Sequence, residues 1–153
     1  MSEGDEEVRR FLTYWISGLM DGLASVDEPA RQIVLRECGK ACAASYTAGV
    51  FQDAREQSDD MDGFLAALAA KFRAATYERL TADTIRVCYT RCACDLVEWG
   101  LVASSLICGC SVYNLQENFE RAWGVPVSVT LETSILEGAS QCAFLVSLES
   151  PLG

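Results

Sequence analysis

The segment Thr84–Thr90, TIRVCYT, decides the fold class of this chain. Ile85, Val87 and Tyr89 alternate with polar or small side chains, and a period of two is typical of a β-strand with one buried face. Helical periods precede this segment, and further alternation follows it near the end of the sequence. The pattern therefore predicts an α+β fold in which an N-terminal helical layer packs on a small antiparallel sheet with a C-terminal hairpin.

The 153 residues suit a single domain spanning 1–153. Residues 1–75 are mainly helical by pattern, and residues 76–150 contain a strand, a cysteine-rich loop, a helix and a β-hairpin. The sequence has three prolines and shows no repeat or low-complexity tract, so we expect no linker to divide it.

Two helices are predicted in the first third of the chain. Apolar side chains recur at i, i+3 and i+4 from Val8 to Leu23, which predicts a first helix of about five turns with one apolar stripe. Asp27 as the N-cap and Pro29 near the first helical position predict a second helix that runs to Cys42.

Two more helices and a hairpin are predicted further along the chain. An aspartate of the acidic stretch EQSDDMD caps a third helix over FLAALAAKFRAA. Ser111 caps a fourth helix, which ends where Gly124 favours a left-handed C-cap. VPVSVTLE then alternates, turns around Gly138 and returns as QCAFLVSL, which predicts a β-hairpin.

Charge and composition exclude several classes of partner and of chemistry. The net charge is −10, so a nucleic-acid backbone or an anionic lipid surface would be repelled. The longest apolar run, Trp99 to Cys108, is interrupted by two serines and is shorter than the ~20 residues of a membrane span. Histidine is absent, which removes Ser-His-Asp and Cys-His catalysis. We expect no nucleic-acid partner and no membrane partner.

The opening residues MSEGDEEVRR are acidic where a secretory signal is first basic and then apolar. This pattern predicts a cytoplasmic location. In a reducing compartment, the eight cysteines are expected to be thiols or metal ligands rather than disulfides.

Half of the cysteines lie within Arg91–Cys110, RCACDLVEWGLVASSLICGC, as two Cys-X-Cys pairs. On an extended segment, residues i and i+2 point the same way, about 6.5 to 7 Å apart, and can aim two sulfurs at one metal. If the loop between the pairs folds back, four thiolates converge as they do around tetrahedral zinc or an iron–sulfur cluster. The predicted metal ligands are Cys92, Cys94, Cys108 and Cys110, with Cys142 as a fifth candidate.

Two other interpretations of these cysteines stay open. Cys108 and Cys110 precede the helix predicted to begin at Ser111, and the positive end of a helix favours a thiolate, so either is a candidate nucleophile. Glu132 is the accompanying candidate acid or base. Alternatively, the cysteines are small hydrophobic residues of the core.

The remaining cysteines and the larger aromatic residues are expected mainly in the core. Cys38 and Cys42 share one helical face, where core packing is favoured over ligation, and Gly39 between them indicates a close approach by another element or a ligand. Cys142 alternates with apolar residues, which favours the core, and Cys88 is a less favoured candidate for a spare ligand, since one bulge would turn it to the other face. The aromatic residues expected in the core, or less often in a pocket wall, are Trp15, Tyr46, Phe51, Trp99 and Trp123.

Several motifs together resemble a known family: RCACDLV, ICGCS, NFERAWG, VPVSVTLETSILEGASQCAFLVSL and ECGKACA. The family is a Cys-rich prokaryotic one often labelled L-2-amino-thiazoline-4-carboxylic acid hydrolase-like, and through it the chain resembles the 4-vinyl reductase-type small-molecule-binding domain. The likeness covers most of the chain in order, and its specific part is Arg91 to Leu148. It implies helices packed on an antiparallel sheet, a buried pocket for a small organic ligand, and a homodimer.

The resemblance also implies a zinc site. In the 4-vinyl reductase-type sensors the ligands are a cysteine before the helix, an acid and a cysteine on the hairpin, and a final cysteine. Cys110 and Cys142 match the first and the last of these ligands. Alignment on the hairpin glycine places Ser134 and Leu131 at the other two positions, so zinc binding in this chain requires Glu132 or the extra cysteines as replacements.

Three functions are compatible with these patterns. The leading prediction is a cytoplasmic binding or sensing protein that holds zinc or an iron–sulfur cluster on its cysteines beside a pocket for a small organic ligand. The first alternative is a hydrolase of a small cyclic amide or thiazoline that uses a metal-bound water or a cysteine nucleophile. The second alternative is a structural dimeric adaptor with core cysteines.

Overall fold

Four helices precede the first strand in the computed structural model, which describes residues 1–149. These helices are α1 (Glu3–Ser25), α2 (Glu28–Cys42), α3 (Ala48–Glu56) and α4 (Met61–Lys71), and a π-helical turn at Ala43–Thr47 joins α2 to α3. The later elements are β1 (Ala75–Arg79), β2 (Thr84–Tyr89), the short helix α5 (Asp95–Glu98), the long helix α6 (Cys108–Trp123), β3 (Val127–Thr133) and β4 (Cys142–Leu148). Single 3₁₀ turns lie at Ser105–Ile107 and Ile135–Glu137.

The four strands form one antiparallel sheet in the order β1-β2-β4-β3. Ile85 and Val87 of β2 are fully buried, as the alternation predicts, and β3 pairs with β4 as the predicted hairpin. The α+β prediction is therefore confirmed. Strand β1 was not predicted, because in its sequence ATYER only Ala75 is buried and the apolar alternation is weak.

The larger hydrophobic cluster, here called the aromatic core, lies between the sheet and helices α3, α4 and α6. The ring of Phe119 lies 5.3 Å from the ring of Phe51 and 5.9 Å from that of Phe64, both edge-on, and Trp123 packs 5.4 Å from Phe64. Cys142 is buried in this core, as expected. The buried members are Phe51, Ala54, Met61, Phe64, Leu65, Leu68, Ile85, Val87, Leu115, Phe119, Val127, Cys142, Phe144, Val146 and Leu148.

A smaller cluster, here called the thiol-lined cluster, involves α1, α2, the segment after α5 and the start of α6. Its buried members are Met20, Leu23, Leu35, Val102, Ile107 and Cys108. Cys94 and Cys110 pack against it. Three of the predicted site cysteines thus meet one apolar cluster.

The predicted helix ends agree with the structure in several places. The side chain of Asp27 accepts a hydrogen bond from the backbone N–H of Ala30 at 2.9 Å and caps α2, and Asp60 caps α4 through the N–H of Gly63 at 2.8 Å. Gly124 takes the left-handed conformation, with φ of 66°, at the end of α6. These caps satisfy backbone groups that a helix end leaves free.

Helix α1 departs from the predicted single stripe. Met20 and Leu23 are buried in the thiol-lined cluster, whereas Val8, Phe11 and Trp15 are exposed. With 3.6 residues per turn, the exposed Val8, Phe11 and Trp15 are centred roughly 120° around the helix from the buried Met20 and Leu23. The stripe prediction holds only for the C-terminal half of α1.

The core expectation is wrong for three of the five aromatic residues. Trp15, Tyr46 and Trp99 are 58%, 57% and 59% exposed, while Phe51 is buried and Trp123 packs against the aromatic core. Within residues 1–149, no helix combines the length and the apolar character that are needed to cross a membrane.

Candidate thiol-lined site

Helix α6 begins at Cys108, three residues before the predicted cap at Ser111. The hydroxyl of Ser104 accepts a hydrogen bond from the backbone N–H of Leu106 at 3.3 Å and starts a 3₁₀ turn that runs directly into the helix. The expectation that Cys108 and Cys110 lie on an extended segment is therefore wrong. Residues i and i+2 of an α-helix point about 200° apart, so these two thiols diverge.

The thiol of Cys108 faces the connection between β3 and β4. Its Sγ lies 3.2 Å from the hydroxyl oxygen of Ser134, and both residues are buried. The backbone N–H of Ile135 donates to Cys142 Sγ at 3.4 Å. Burial raises the pKa of Cys108, the hydrogen bond with Ser134 lowers it, and the nearby Cys142 and Cys92 raise it further. Cys92, Cys108 and Cys142 are here called the first thiol group, and Cys92 also raises the pKa of Cys94.

The thiol of Cys110 faces helix α2. Burial raises the pKa of Cys110 to about 12, and the neighbouring thiols of Cys38, Cys94 and Cys42 contribute to that rise. Partial burial of the thiols also raises the pKa values of Cys94 and of Cys42, although Cys42 as a whole residue is exposed. Cys38, Cys42, Cys94 and Cys110 form the second thiol group, which combines residues from α2, from α6 and from the loop before α5.

Two glycines bring α2 and α6 close enough for this grouping. A Cβ atom at Gly39 would lie 2.6 Å from the carbonyl oxygen of Cys110 and 2.7 Å from Tyr113 Cβ, and one at Gly109 would lie 2.6 Å from Leu35 Cδ1. The close approach that Gly39 indicates is confirmed, and the neighbour is α6. Cys38, beside Gly39, is exposed, as is Cys42 one turn further on, so the expectation that these two cysteines are core residues is wrong.

The predicted metal ligands are distributed over both thiol groups. Cys108 belongs to the first group, Cys94 and Cys110 belong to the second, and Cys92 neighbours both Cys108 and Cys94. Among residues 1–149, no group of three or more Cys, Asp or Glu side chains is arranged to hold a metal ion. This geometry does not fit a tetrahedral set of sulfur ligands at 2.3 Å from zinc. Metal binding by these residues therefore stays a prediction.

The residues of the predicted hydrolytic site lie in two different environments. The carboxylate of Glu132, at the β-bulge of β3, accepts a hydrogen bond from Nε of Arg86 at 3.1 Å. Arg86 alternates with the buried Ile85 and Val87, so this ion pair lies on the sheet face opposite the helices. The raised pKa of Cys108 reflects burial, which outweighs the expected effect of the helix N-terminus. Its thiol is therefore mainly protonated near neutral pH.

Cys88 lies on the outer sheet face. It pairs with Ala143 of β4 and with Thr76 of β1, and it alternates with the buried Val87. A ligand on this face would have to reach around the sheet to meet the first thiol group. The structure therefore does not bring Cys88 into either thiol group.

A partly buried polar network beside the second thiol group was missed from the sequence. The amide of Asn118 donates to the hydroxyl of Thr47 and to the side-chain oxygen of Asn114, both at 3.0 Å. Thr47 belongs to the π-helical turn, a deformation that recurs at functional sites. A hydrogen bond with Asn114 partly opposes the burial that raises the pKa of Cys42. The available signal was the i, i+4 spacing of two asparagines on α6.

An open cleft of about 210 Å³ lies between α1 and residues 101–106. Met20, Val102 and Leu106 line the cleft and also belong to, or pack against, the thiol-lined cluster. The polar residues that line it are Ser17, Asp21 and Ser104. The cleft therefore joins an apolar wall to a small set of hydroxyl and carboxylate groups.

No family model matches this chain, and a search of curated proteins gave no significant match. Solved structures with a similar fold exist at 13–14% identity, which shows the fold alone.

Three of these structures resemble the chain over most of its length. A trafficking protein particle complex subunit 3 from Naegleria fowleri, covalently bound to palmitic acid, has a TM-score of 0.53 at 13% identity, with 96% of each chain covered. The phenol-responsive sensory domain of the transcription activator PoxR with phenol has a TM-score of 0.58 at 13% identity, covering 93% of this chain and 73% of that one. An H-NOX protein from S. oneidensis in the Fe(II)NO ligation state has a TM-score of 0.54 at 14% identity, covering 98% of this chain and 78% of that one.

Proposed function

We propose that this chain is a small-molecule-binding or sensing protein whose ligand binds in the cleft beside the thiol-lined cluster. The observation that carries the proposal is the shared wall: Met20, Val102 and Leu106 connect the open cleft to an apolar cluster that is separate from the aromatic core. A ligand in this cleft contacts α1 and residues 101–106 together.

The lining of the cleft selects the chemistry of the ligand. A volume of about 210 Å³ suits a molecule with a single small ring. Asp21 offers a carboxylate, and the chain as a whole has a net charge of −10, so an anionic ligand is disfavoured. Ser17 and Ser104 offer hydroxyl groups that donate or accept. We propose a ligand with a small apolar body and a hydroxyl or amine donor.

The fold likeness supports this proposal. Structures with similar folds include one described with phenol and one described as covalently bound to palmitic acid. The resemblance of the Cys-rich motifs to a small-molecule-binding family points to the same class of function.

The metal and hydrolase predictions are separate from the ligand proposal. Elemental analysis and an absorption spectrum of protein purified without oxygen test the zinc or iron–sulfur prediction, and near-stoichiometric metal would support it. For the hydrolase alternative, replacement of Cys108 by Ser should abolish turnover of a small cyclic amide or thiazoline. Turnover that survives this substitution would remove Cys108 from the mechanism.

Titration calorimetry with phenol, phenethylamine and benzoate tests the ligand proposal. We expect phenol and phenethylamine to bind saturably and benzoate to bind at least about tenfold more weakly, because Asp21 repels the carboxylate. Ala103→Trp, which fills the cleft from its rim, should reduce binding of the two donors at least about tenfold.

Ala82→Trp is the matched control, because Ala82 is exposed in the β1–β2 turn, outside the cleft. Equal binding by Ala103→Trp and Ala82→Trp would place the ligand elsewhere. Absence of saturable binding by both donors to the unsubstituted chain would contradict the proposal.

A further inference from the structure

The N-terminal half of α1 carries an exposed apolar surface. Val8, Phe11, Tyr14 and Trp15 are 59%, 63%, 76% and 58% exposed, and Leu12 beside them is 37% exposed. A contiguous apolar patch of this kind on a folded protein usually marks an interaction surface. Arg9 donates a hydrogen bond to the carbonyl oxygen of Trp99, so this half of the helix is held against the body of the chain.

The surface forms a seam along the helix, with bulky side chains at its N-terminal end and glycines at its C-terminal end. Val8, Phe11, Trp15, Gly18 and Gly22 follow one another at alternating spacings of three and four residues, which places them along one line of the helix. The first three side chains project from this line. Gly18 and Gly22 have no atom within 4 Å of an added Cβ among the described residues, so the second part of the seam is an open notch.

We propose that this seam is the interface with a second copy of the chain, with the two α1 helices packed antiparallel about a two-fold axis near Trp15. In this arrangement Val8 of each copy faces Gly22 of the other, Phe11 faces Gly18, and the two Trp15 rings meet at the axis. Bulky side chains then enter the notches left by glycine. A parallel pair would instead place Phe11 against Phe11 and leave glycine opposite glycine.

The size of the surface suits a dimer. Three aromatic residues that are about two-thirds exposed, with Val8 and Leu12, offer on the order of 600 Å² of area per copy. A standard stable interface buries about 800 Å² per partner, and the polar flanks of α1 can supply the remainder. A two-fold arrangement also uses the same patch on both copies, as closed dimers require.

Charge favours a second copy over a membrane as the occupant. The five seam positions are uncharged, so the contact itself is free of like-charge pairs. The first turn of α1 contains Glu3, Asp5 and Glu6, which an anionic lipid surface would repel. Because each copy carries a net charge of −10, screening by salt should strengthen the dimer.

Sedimentation equilibrium of the full chain over a range of concentrations and salt tests the proposal. We expect a dimer that tightens as salt rises. Trp15→Glu should weaken it about 30-fold or more, as truncation of a central aromatic residue does in other interfaces. Trp99→Glu is the matched control, since Trp99 is 59% exposed outside the seam, and this variant should dimerise like the unsubstituted chain.

Gly18→Leu tests the antiparallel register separately from folding. The chain leaves open space at Gly18, and leucine is a better helix former, so the thermal melt of this variant should stay unchanged or rise. The dimer should weaken at least about tenfold, because the new side chain occupies the notch that receives Phe11 of the second copy. A full-strength dimer in Gly18→Leu would overturn the antiparallel arrangement.

Two further outcomes would overturn the whole proposal. One is an unsubstituted chain that stays monomeric at every concentration and salt level. The other is a monomer that binds anionic phosphatidylserine vesicles and loses that binding in Trp15→Glu, which would make a membrane the occupant of the seam.

Discussion

The aromatic core and the thiol-lined cluster differ in composition and closure. The aromatic core places Phe51, Phe64 and Phe119 in mutual edge contacts, and each of these rings is at most 2% exposed. The thiol-lined cluster is smaller, includes Cys108, and borders an open cleft of about 210 Å³. Because protein interiors are close-packed, removing atoms from the enclosed aromatic core should cost more stability than removing atoms from a small cluster that borders an opening.

Of the substitutions that test this comparison, Phe119→Ala in the aromatic core is expected to change stability the most. Phe119 is fully buried between Phe51 and Phe64, so its truncation leaves a cavity and removes two edge contacts. We expect the free energy of unfolding to fall by about 4 kcal/mol. Leu35→Ala in the thiol-lined cluster should cost less, about 2 kcal/mol, because the cluster is smaller and borders an opening.

Urea denaturation followed by circular dichroism measures both changes, and the slopes report whether unfolding stays two-state. The comparison fails if Leu35→Ala costs as much as Phe119→Ala. In that case the thiol-lined cluster contributes to stability as strongly as the aromatic core.

The sequence was sufficient for the parts of the fold that depend on local period. The alternation of Ile85 and Val87 identified β2, the residues around Gly138 identified the hairpin, and Asp27 located the start of α2. These signals are local, because a strand face repeats every two residues and a cap acts within one turn.

The arrangement of the cysteines depended on contacts that no spacing encodes. A 3₁₀ turn capped by Ser104 starts α6 early, and this local event directs Cys108 and Cys110 to different sides. The approach of Cys38 to Cys110 follows from how two helices cross, which only the packing at Gly39 specifies. The exposed half of α1 was also not predictable, since the sequence pattern does not distinguish an apolar residue that packs inside the chain from one that packs against a partner.

A smaller effect is expected from Gly39, which lies where α2 and α6 cross. In a helix, Gly→Ala alone should stabilise by about 1 kcal/mol. At Gly39 the new Cβ would lie 2.6 Å from the carbonyl oxygen of Cys110, which is backbone and cannot turn away. We expect Gly39→Ala to destabilise the chain by about 2 kcal/mol in urea denaturation, because α2 must move off α6.

Gly49→Ala in α3 is the matched control. An added Cβ there meets no atom within 4 Å among residues 1–149, so this variant should gain about 1 kcal/mol of stability. If both variants are stabilised, the crossing of α2 and α6 has room to relax, and the second thiol group is less tightly held than its geometry indicates.

The smallest expected effect concerns alkaline pH and the second thiol group. Burial raises the pKa of Cys110 from 9.0 to about 12, so between these values the unfolded chain has lost a proton that the folded chain keeps. Stability that is fully present below pH 9.0 is therefore lost as pH rises toward about 12. The raised pKa values of Cys42, Cys94 and Cys108 act in the same direction.

Urea denaturation from about pH 8 to about pH 10 measures this dependence before most tyrosines ionise. In Cys110→Ala the free energy of unfolding should fall less steeply with pH, because the variant lacks one of the thiols that resist ionisation. The change in slope should correspond to a fraction of one proton. Cys88→Ala removes a thiol on the outer face of the sheet, outside both thiol groups, and is the matched control. An identical slope in Cys110→Ala would mean that water reaches this thiol, and the two regions would then differ less in closure toward solvent than their packing indicates.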